Sequence, residues 1–326
     1  MTGPLRPVTV LSTGGTIAMS GARATPALDA DALLAAVPAL ADVAGLRARS
    51  VCGVPGAHLG AAAALAIARA ALEQAAAGRG VVITHGTDTL EETAMLCDAL
   101  HGRPEPIVLT GAIRPASAPG ADGPANLVDA VAAAGAAGTA GLGVLVAFAG
   151  ELHAARAVRK VASICPAAFG SPATGPLGTV AEGRVRITAR PLRPAEPLPV
   201  PATLGARVPI VPTWLGDDGA GLRAALRDGA EAIVFVALGA GHVAPPVLAA
   251  LREAAGAVPV ALTVRPERGV LLHETYGFEG AERDLRASGA LAAAGLSPQA
   301  ARMVLLAGLG SGCGRAALAG ALDVQI

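Results

Sequence analysis

The sequence predicts an α/β protein of two domains: a three-layer N-terminal domain built on a parallel sheet, and a smaller α/β C-terminal domain. Three observations carry this. Short apolar strands alternate with helices along the chain, a pattern that places helices on both faces of a parallel sheet. The length of 326 residues is about two domains at roughly 150 residues each. Five prolines fall within the eleven residues 191–201, a run that suits neither a helix nor a central strand. The boundaries read as 1–190 for the N-terminal domain, 191–206 for a proline-rich linker and 207–326 for the C-terminal domain.

In order, strands are expected at 8–12, 81–84, 107–110 and 144–148, and helices at 31–36, 61–77, 90–100 and 126–137. The alanine-rich 61–77 segment stops at Gly78, and 90–100 closes at Gly102, as helix ends favour. Thr89 and Glu92 match a T-x-x-E capping box, so the Thr89 side chain is expected to cap the helix; Glu91 and Glu92 suit its positive end. Beyond the linker, strands are expected at 208–211, 232–236 and 258–264, and helices at 245–255 and 297–306.

Composition narrows the function classes. The chain is 53% hydrophobic and 15% charged, enough to build a core and incompatible with global disorder. Aromatics are only 2%, so the core must be Ala, Val, Leu and Ile. Lys+Arg and Asp+Glu both number 25; a nucleic-acid partner, which requires a net basic face, is not expected. Segment 130–150 is uncharged, but Gly135, Gly138, Gly141, Gly143 and Gly150 make it a helix end, a turn and a buried strand, not a membrane span. The first ten residues lack a long apolar stretch and read as no signal peptide, so a cytoplasmic location is expected. Cys52, Cys97, Cys165 and Cys313 are far apart and show no metal spacing. They read as small core residues, with neither a disulfide nor a metal site.

Two strand ends carry chemistry. Strand 8–12 runs into Thr13-Gly14-Gly15-Thr16, and strand 81–84 into His85-Gly86-Thr87-Asp88-Thr89. Ligands of open α/β sheets bind at such carboxyl ends. A hydroxyl beside glycine-rich backbone donors offers acyl transfer both a nucleophile and an oxyanion site. Lys160 is the only lysine; the other 24 basic side chains are arginine. Lysine can lose its proton when buried and act as a base, and arginine effectively cannot. The chain has no G-x-S-x-G elbow, P-loop or HExxH, which removes three other catalytic schemes. A Schiff base of Lys160 with pyridoxal phosphate stays open on these grounds, without a supporting motif.

VTVLSTGGTIA at 8–18 resembles the first signature of the bacterial L-asparaginases, and VVITHGTDTLEETA at 81–94 their second. The likeness continues in TGAIRP (110–115), ADGPANL (121–127), GPLG (175–178) and LSPQAAR (296–302), in order over essentially the whole chain. It implies a threonine-nucleophile amidohydrolase, a two-domain α/β enzyme without metal or organic cofactor that converts L-asparagine to L-aspartate and ammonia. By position, the attacking threonine is Thr13, and the Thr–Asp–Lys group is Thr87, Asp88 and Lys160. The family also holds the substrate amine with a glutamate from a neighbouring subunit. Counting back from LSPQAAR places it at Glu282, in preference to Glu274. A homo-oligomer, dimer or tetramer, follows from that.

The substrate-holding positions depart from the family. Its lid tyrosine has no counterpart in Gly21-Ala22-Arg23-Ala24-Thr25, and its Ser-Gln pair falls on Gly56 and Ala57, with His58 beside them. A third loop, which usually ends in Asn, ends in His242. Gly56, Ala57, His58, His242 and Glu282 are therefore the candidate substrate-binding residues. Weak affinity for asparagine is expected, because each lost hydrogen bond to a charged ligand costs about 1.5–3 kcal/mol. The alternatives are the same mechanism on another amide (L-glutamine, a D-amide or a modified residue) and a non-catalytic amino-acid-binding protein on this scaffold. A tRNA-directed relative would need a nucleic-acid-binding segment, for which little chain precedes Thr13.

Overall fold

A computed structural model describes residues 6–20, 25–26, 29–194, 196–293 and 295–323. The chain forms two units, Met1–Arg193 and Pro194–Ile326.

The first unit runs β1 (Val8–Gly14), β2 (Met19–Ser20), β3 (Thr25–Pro26), α1 (Ala30–Ala35), β4 (Arg47–Val54), α2 (Ala61–Ala76), β5 (Gly80–Thr84), α3 (Leu90–Leu100), β6 (Ile107–Thr110), α4 (Gly123–Gly135), β7 (Val144–Phe148), β8 (Glu151–Ala154), β9 (Arg159–Lys160), β10 (Phe169–Gly170), β11 (Gly178–Ala181) and β12 (Arg184–Ile187). Eight of these strands form one sheet, in the order β12-β11-β8-β7-β6-β5-β1-β4. Every residue of β1, β5, β6 and β7 is buried, as strands covered on both faces must be. One face packs Val8, Val10, Val82, Val108 and Leu145 against Leu33 of α1 and Leu127, Ala130 and Val131 of α4. The alternate residues point the other way, where α2 lies against β1, β4 and β5, and α3 against β6 and β7.

The sheet has the expected parallel core and an antiparallel extension. Pairs β4–β1, β1–β5, β5–β6 and β6–β7 are parallel, but β7–β8, β8–β11 and β11–β12 are antiparallel. The cause is local. Two-residue turns at Ala149-Gly150 and Glu182-Gly183 hold both residues at positive φ, the geometry of tight hairpins, and leave no room for a crossover helix. The sequence pattern missed β4, β8, β11 and β12. Strand β4, at the sheet edge, is polar and part exposed along most of its length.

Boundaries shift for identifiable reasons. Helix α1 starts at Ala30 because Asp29 accepts the Ala32 N–H at 2.8 Å. Helix α4 begins at Gly123, three residues before the expected start, with Pro124 in its first turn, a favoured place for proline. Of the four cysteines only Cys97 is buried; Cys52 and Cys313 are partly buried and Cys165 is exposed, which corrects their reading as core residues.

The second unit contains β13 (Ile210–Pro212), α5 (Ala220–Arg227), β14 (Ile233–Ala237), α6 (Pro245–Ala257), β15 (Val260–Val264), α7 (Glu282–Ala287), β16 (Leu291–Ala292), α8 (Pro298–Gly310) and α9 (Arg315–Leu322). Its four-stranded sheet is parallel, in the order β13-β14-β15-β16. Helices α5, α6 and α7 share a core with Ile233, Phe235, Val260 and Leu262, and α8 packs on β13, β14 and β15. Helix α6 extends to Ala257, so β15 starts two residues later than expected. Segment 191–206 has no helix or strand among its described residues. It is not a free tether, since Leu198 and Leu204 are buried and the Ser311 hydroxyl donates to Pro199 O.

In the first unit, loops meet backbone to backbone at the carboxyl ends of β4, β1 and β5. A Cβ on Gly15, which has a φ of +80°, would lie 2.5 Å from Gly86 N; one on Gly86 would lie 2.7 Å from Gly56 Cα. Three glycines are therefore stacked, with no room for a side chain at Gly15 or Gly86 and a 3.1 Å contact for a Cβ at Gly56. Gly86→Ala is expected to destabilise the chain by about 1–3 kcal/mol, read as a lower urea midpoint; an unchanged midpoint would show that the loops can part freely.

Burial lowers the pKa of His85, His101 and His153 below the ordinary value. These groups stay neutral in the fold and protonate in the unfolded chain below about pH 6.5. Their stabilisation is complete above that pH and is lost as pH falls through the folded values. Asp129 acts oppositely. Burial pushes it up to about 6, so its contribution is complete at low pH and lost as pH rises through that value. Three groups oppose one, so the melting temperature should fall between pH 7 and pH 5; a rise over that interval would contradict the assignment.

Candidate functional site

Strand order locates the site. From β1 the chain crosses to β4 on one side, and from β5 to β6 on the other. Adjacent strands whose connections leave in opposite directions open a crevice at their carboxyl ends. Here those ends carry Thr13 and the 85–89 loop.

Thr13 is 2% exposed, and its hydroxyl donates to Thr84 O at 2.7 Å. The Cys52 thiol donates to Thr13 O at 3.4 Å; burial pushes this thiol's pKa up, which keeps it a donor. Thr87 is 8% exposed. Lys160 Nζ donates to Thr87 Oγ1 at 2.9 Å and to Asp88 Oδ1 at 2.8 Å. The lone ammonium is not out in solvent: its side chain is 22% exposed, against 62% for Asp88.

Lys160 is placed by three contacts. Its strand β9 pairs with β10, Lys160 opposite Phe169. The Phe169 ring packs on Phe148 at the end of β7, with centroids 4.8 Å apart. The Lys160 N–H donates to Glu91 Oε2 at 2.8 Å. Glu91, expected only to complement the helix end, therefore also ties the lysine strand to α3.

Thr89 is corrected. It precedes α3 but makes no side-chain cap; its hydroxyl donates instead to Gly56 O at 3.0 Å. The glycine contact brings Gly56 within reach of that hydroxyl, and the bond joins the 55–58 loop to the 85–89 loop. Gly56 is buried, and Ala57 and His58 are exposed on the same turn. The missing-tyrosine stretch 21–24 lies outside the described residues.

A second brace comes from a motif that had no assigned role. Asp122 accepts the N–H groups of Ile113 and Arg114, Asn126 Nδ2 donates to Gly111 O and Asp122 Oδ2, and Asn126 Oδ1 accepts the Ala149 N–H. TGAIRP and ADGPANL are thus two halves of one loop clamp after β6. A sequence signal existed, since both partners lie in recognised motifs, but pairing across the loop is not visible in the letters.

His242 and Glu282 belong to the second unit. Their facing atoms, Nε2 and Oε2, stand 3.5 Å apart. Glu282 is 0% exposed and accepts the Tyr276 N–H at 2.8 Å. Burial pulls its pKa up, but the N–H groups of Tyr276, Glu282 itself and Thr275, with His242, outweigh this and hold the carboxyl below its ordinary value. The edges of Tyr276 and Phe278 pack on the His242 ring. Glu274 is exposed. Among the described residues no group of three or more His, Cys, Asp or Glu could hold a metal ion, and no helix is long and apolar enough to cross a membrane.

Comparison with known proteins places this arrangement. The family model described as Asparaginase, N-terminal matches residues 7–193, and the Glutaminase/Asparaginase C-terminal domain matches 207–322. A probable L-asparaginase of Deinococcus radiodurans is 39% identical over 251 residues, 75% of each chain. A probable periplasmic L-asparaginase of Haemophilus influenzae is 33% identical over 318 residues, 91% of this chain and 87% of that one. A crystal structure described as a probable cytoplasmic L-asparaginase from Campylobacter jejuni superposes with a TM-score of 0.82 at 31% identity, covering 93% of this chain and 95% of the other. With both domain models matched in order and these relatives aligned over most of their length, the chain belongs to the asparaginase family.

Proposed function

We propose that the chain hydrolyses L-asparagine to L-aspartate and ammonia through an ester on Thr13. The observation that carries this reading is the Lys160–Thr87–Asp88 contact beside the Thr13 loop. Thr13 Oγ1 gives its hydrogen to Thr84 O, which leaves its lone pairs for the side-chain amide carbon. The C–O bond forms and the C–N bond breaks. The amide nitrogen leaves as ammonia, having gained the threonine hydrogen. Water then adds to the ester, the Thr13 oxygen leaves with a proton, and aspartate is released. Lys160 donates to Thr87 Oγ1 in the resting site, so the Thr87 hydrogen is free to point at a water or at Thr13. Deprotonated, Nζ takes up that hydrogen; Asp88 holds the amine in place through either state. Such general-base assistance is worth about 10²–10⁴-fold.

The departures at Gly56 and Ala57 favour a high KM, since neither offers a side-chain donor to the substrate carboxylate; His58 on the same turn is the available replacement. Glu282 is the proposed amine-holding group of a neighbouring subunit, which makes the working form an oligomer. The cytoplasmic assignment is supported by the description of the Campylobacter jejuni structure and opposed by the periplasmic Haemophilus influenzae relative; cell fractionation decides it.

Thr13→Ala and Thr87→Ala should each lower ammonia release from asparagine by at least about 10³-fold, and Lys160→Arg by about 10²-fold or more. Full activity in Thr87→Ala would remove it from the site. Faster ammonia release from glutamine or D-asparagine would name a different substrate, and binding without turnover would make the chain an amino-acid-binding protein.

Mixing inactive Thr13→Ala with inactive Glu282→Ala after co-refolding should restore about a quarter of wild-type activity, the share of intact composite sites in a random dimer. No recovery from mixed oligomers would place Glu282 outside the partner's site.

A further inference from the structure

Gly86 creates a conflict. Its contact with Gly56 forbids a side chain, yet a glycine offers little steric resistance to rotation of the peptide that follows it. That peptide joins Gly86 to Thr87, the residue bonded to Lys160. Something else must hold its orientation.

The structure supplies a candidate in His85. The side chain is 1% exposed and both ring nitrogens are engaged: Nδ1 with Gly86 O at 2.8 Å, and Nε2 with Thr93 Oγ1 at 2.9 Å. A carbonyl only accepts, so Nδ1 carries the proton and Nε2 accepts the Thr93 hydroxyl. Burial favours this neutral form. The peptide is trans, as no cis bond occurs among the described residues. Its N–H therefore points opposite to its C=O. With Gly86 O drawn toward the histidine, the Thr87 N–H is turned away from it. Thr87 is nearly buried, but this N–H donates to no group among the described residues. A backbone donor without a partner among the described residues, in a loop packed against the Thr13 loop at Gly15 and Gly86, is a place for developing negative charge.

We propose that His85 and Thr93 are positioning residues: they lock the Gly86–Thr87 peptide so that the Thr87 N–H stays fixed as a donor to the oxyanion of the substrate carbonyl. This rests on the amidohydrolase reading of the same site. His85 need not touch substrate; it acts through one carbonyl.

Paired isosteres test it. In His85→Asn the amide nitrogen can overlie Nδ1 and keep the bond to Gly86 O; in His85→Gln it overlies Nε2 and loses it. Thr93→Ser keeps the hydroxyl that Thr93→Val removes. Asparagine turnover and thermal melting are measured on the full chain. His85→Gln and Thr93→Val should lower kcat by about tenfold or more with KM within about twofold, since an oxyanion donor is worth about 10²–10³-fold when intact. His85→Asn and Thr93→Ser should retain most of kcat. Equal kcat in His85→Asn and His85→Gln, or losses that track melting temperature across all four variants, would overturn the lock. If the His85 variants fail to fold, the Thr93 pair decides alone, and equal kcat in that pair overturns it. An inactive wild type, or an active Thr87→Ala, would defeat the amidohydrolase reading itself. An active wild type and an inactive Thr87→Ala with indistinguishable isosteres would defeat only the lock.

Discussion

Backbone meets backbone at Gly86, and the first unit's site depends on that contact. Gly15 and Gly56 press on Gly86 from two neighbouring loops; no Cβ fits at Gly15 or Gly86, and one at Gly56 would be crowded at 3.1 Å. Close approach of this kind lets the carboxyl ends of β4, β1 and β5 deliver polar groups to one crevice without intervening side chains. The sheet supplies the rest: fully buried parallel strands hold the loop bases in register, and the strand order opens the crevice at β1 and β5. The cost is conformational freedom in a glycine-rich loop. Side chains restrain it from the rim, with Thr89 on Gly56 O, His85 on Gly86 O, and Asn126 on Gly111 O.

The Lys160–Asp88 pair has a geometric more than an energetic meaning. Asp88 is largely exposed, and such ion pairs contribute about 1 kcal/mol or less to stability. What the pair provides is an amine held 2.9 Å from a threonine oxygen. The backbone that carries this side chain is itself held by Glu91 and by pairing with Phe169, whose ring packs on Phe148. The proposed role asks for a single point donor able to give up its proton, which suits lysine and not arginine. In a chain whose other 24 basic side chains are arginine, the lone lysine stands at this position. Glu282 is the opposite case. It is fully buried and stabilised as an anion by backbone N–H groups and His242, and the His242 ring in turn meets two of the chain's few aromatic rings.

Much of this was legible in the letters. Alternating apolar strands and helices announced a layered α/β architecture, the proline run lies at the change of unit, and TGGT, HGTDT and the lone lysine picked out candidate residues of which Thr87, Asp88 and Lys160 meet. Those signals are local: a buried strand, a glycine turn or an unusual cation reports its own environment. The errors were also local in origin. Thr89 matched a capping pattern, but a nearby carbonyl from another loop took its hydroxyl. The antiparallel half of the sheet was hidden because its strands are four residues each and partly polar.

The sequence by itself determined the fold class, the family and the residue types available for chemistry, because these follow from patterns of neighbouring residues and from side chains with restricted roles. Only the tertiary structure decided which atoms meet. Lys160 lies 73 positions from Thr87, Thr13 lies 71 from Thr84, and Asn126 reaches across its loop to Gly111. Such pairings depend on strand order, on crossover direction and on backbones that can approach only where a side chain is missing, and none of these is a property of any single stretch of chain.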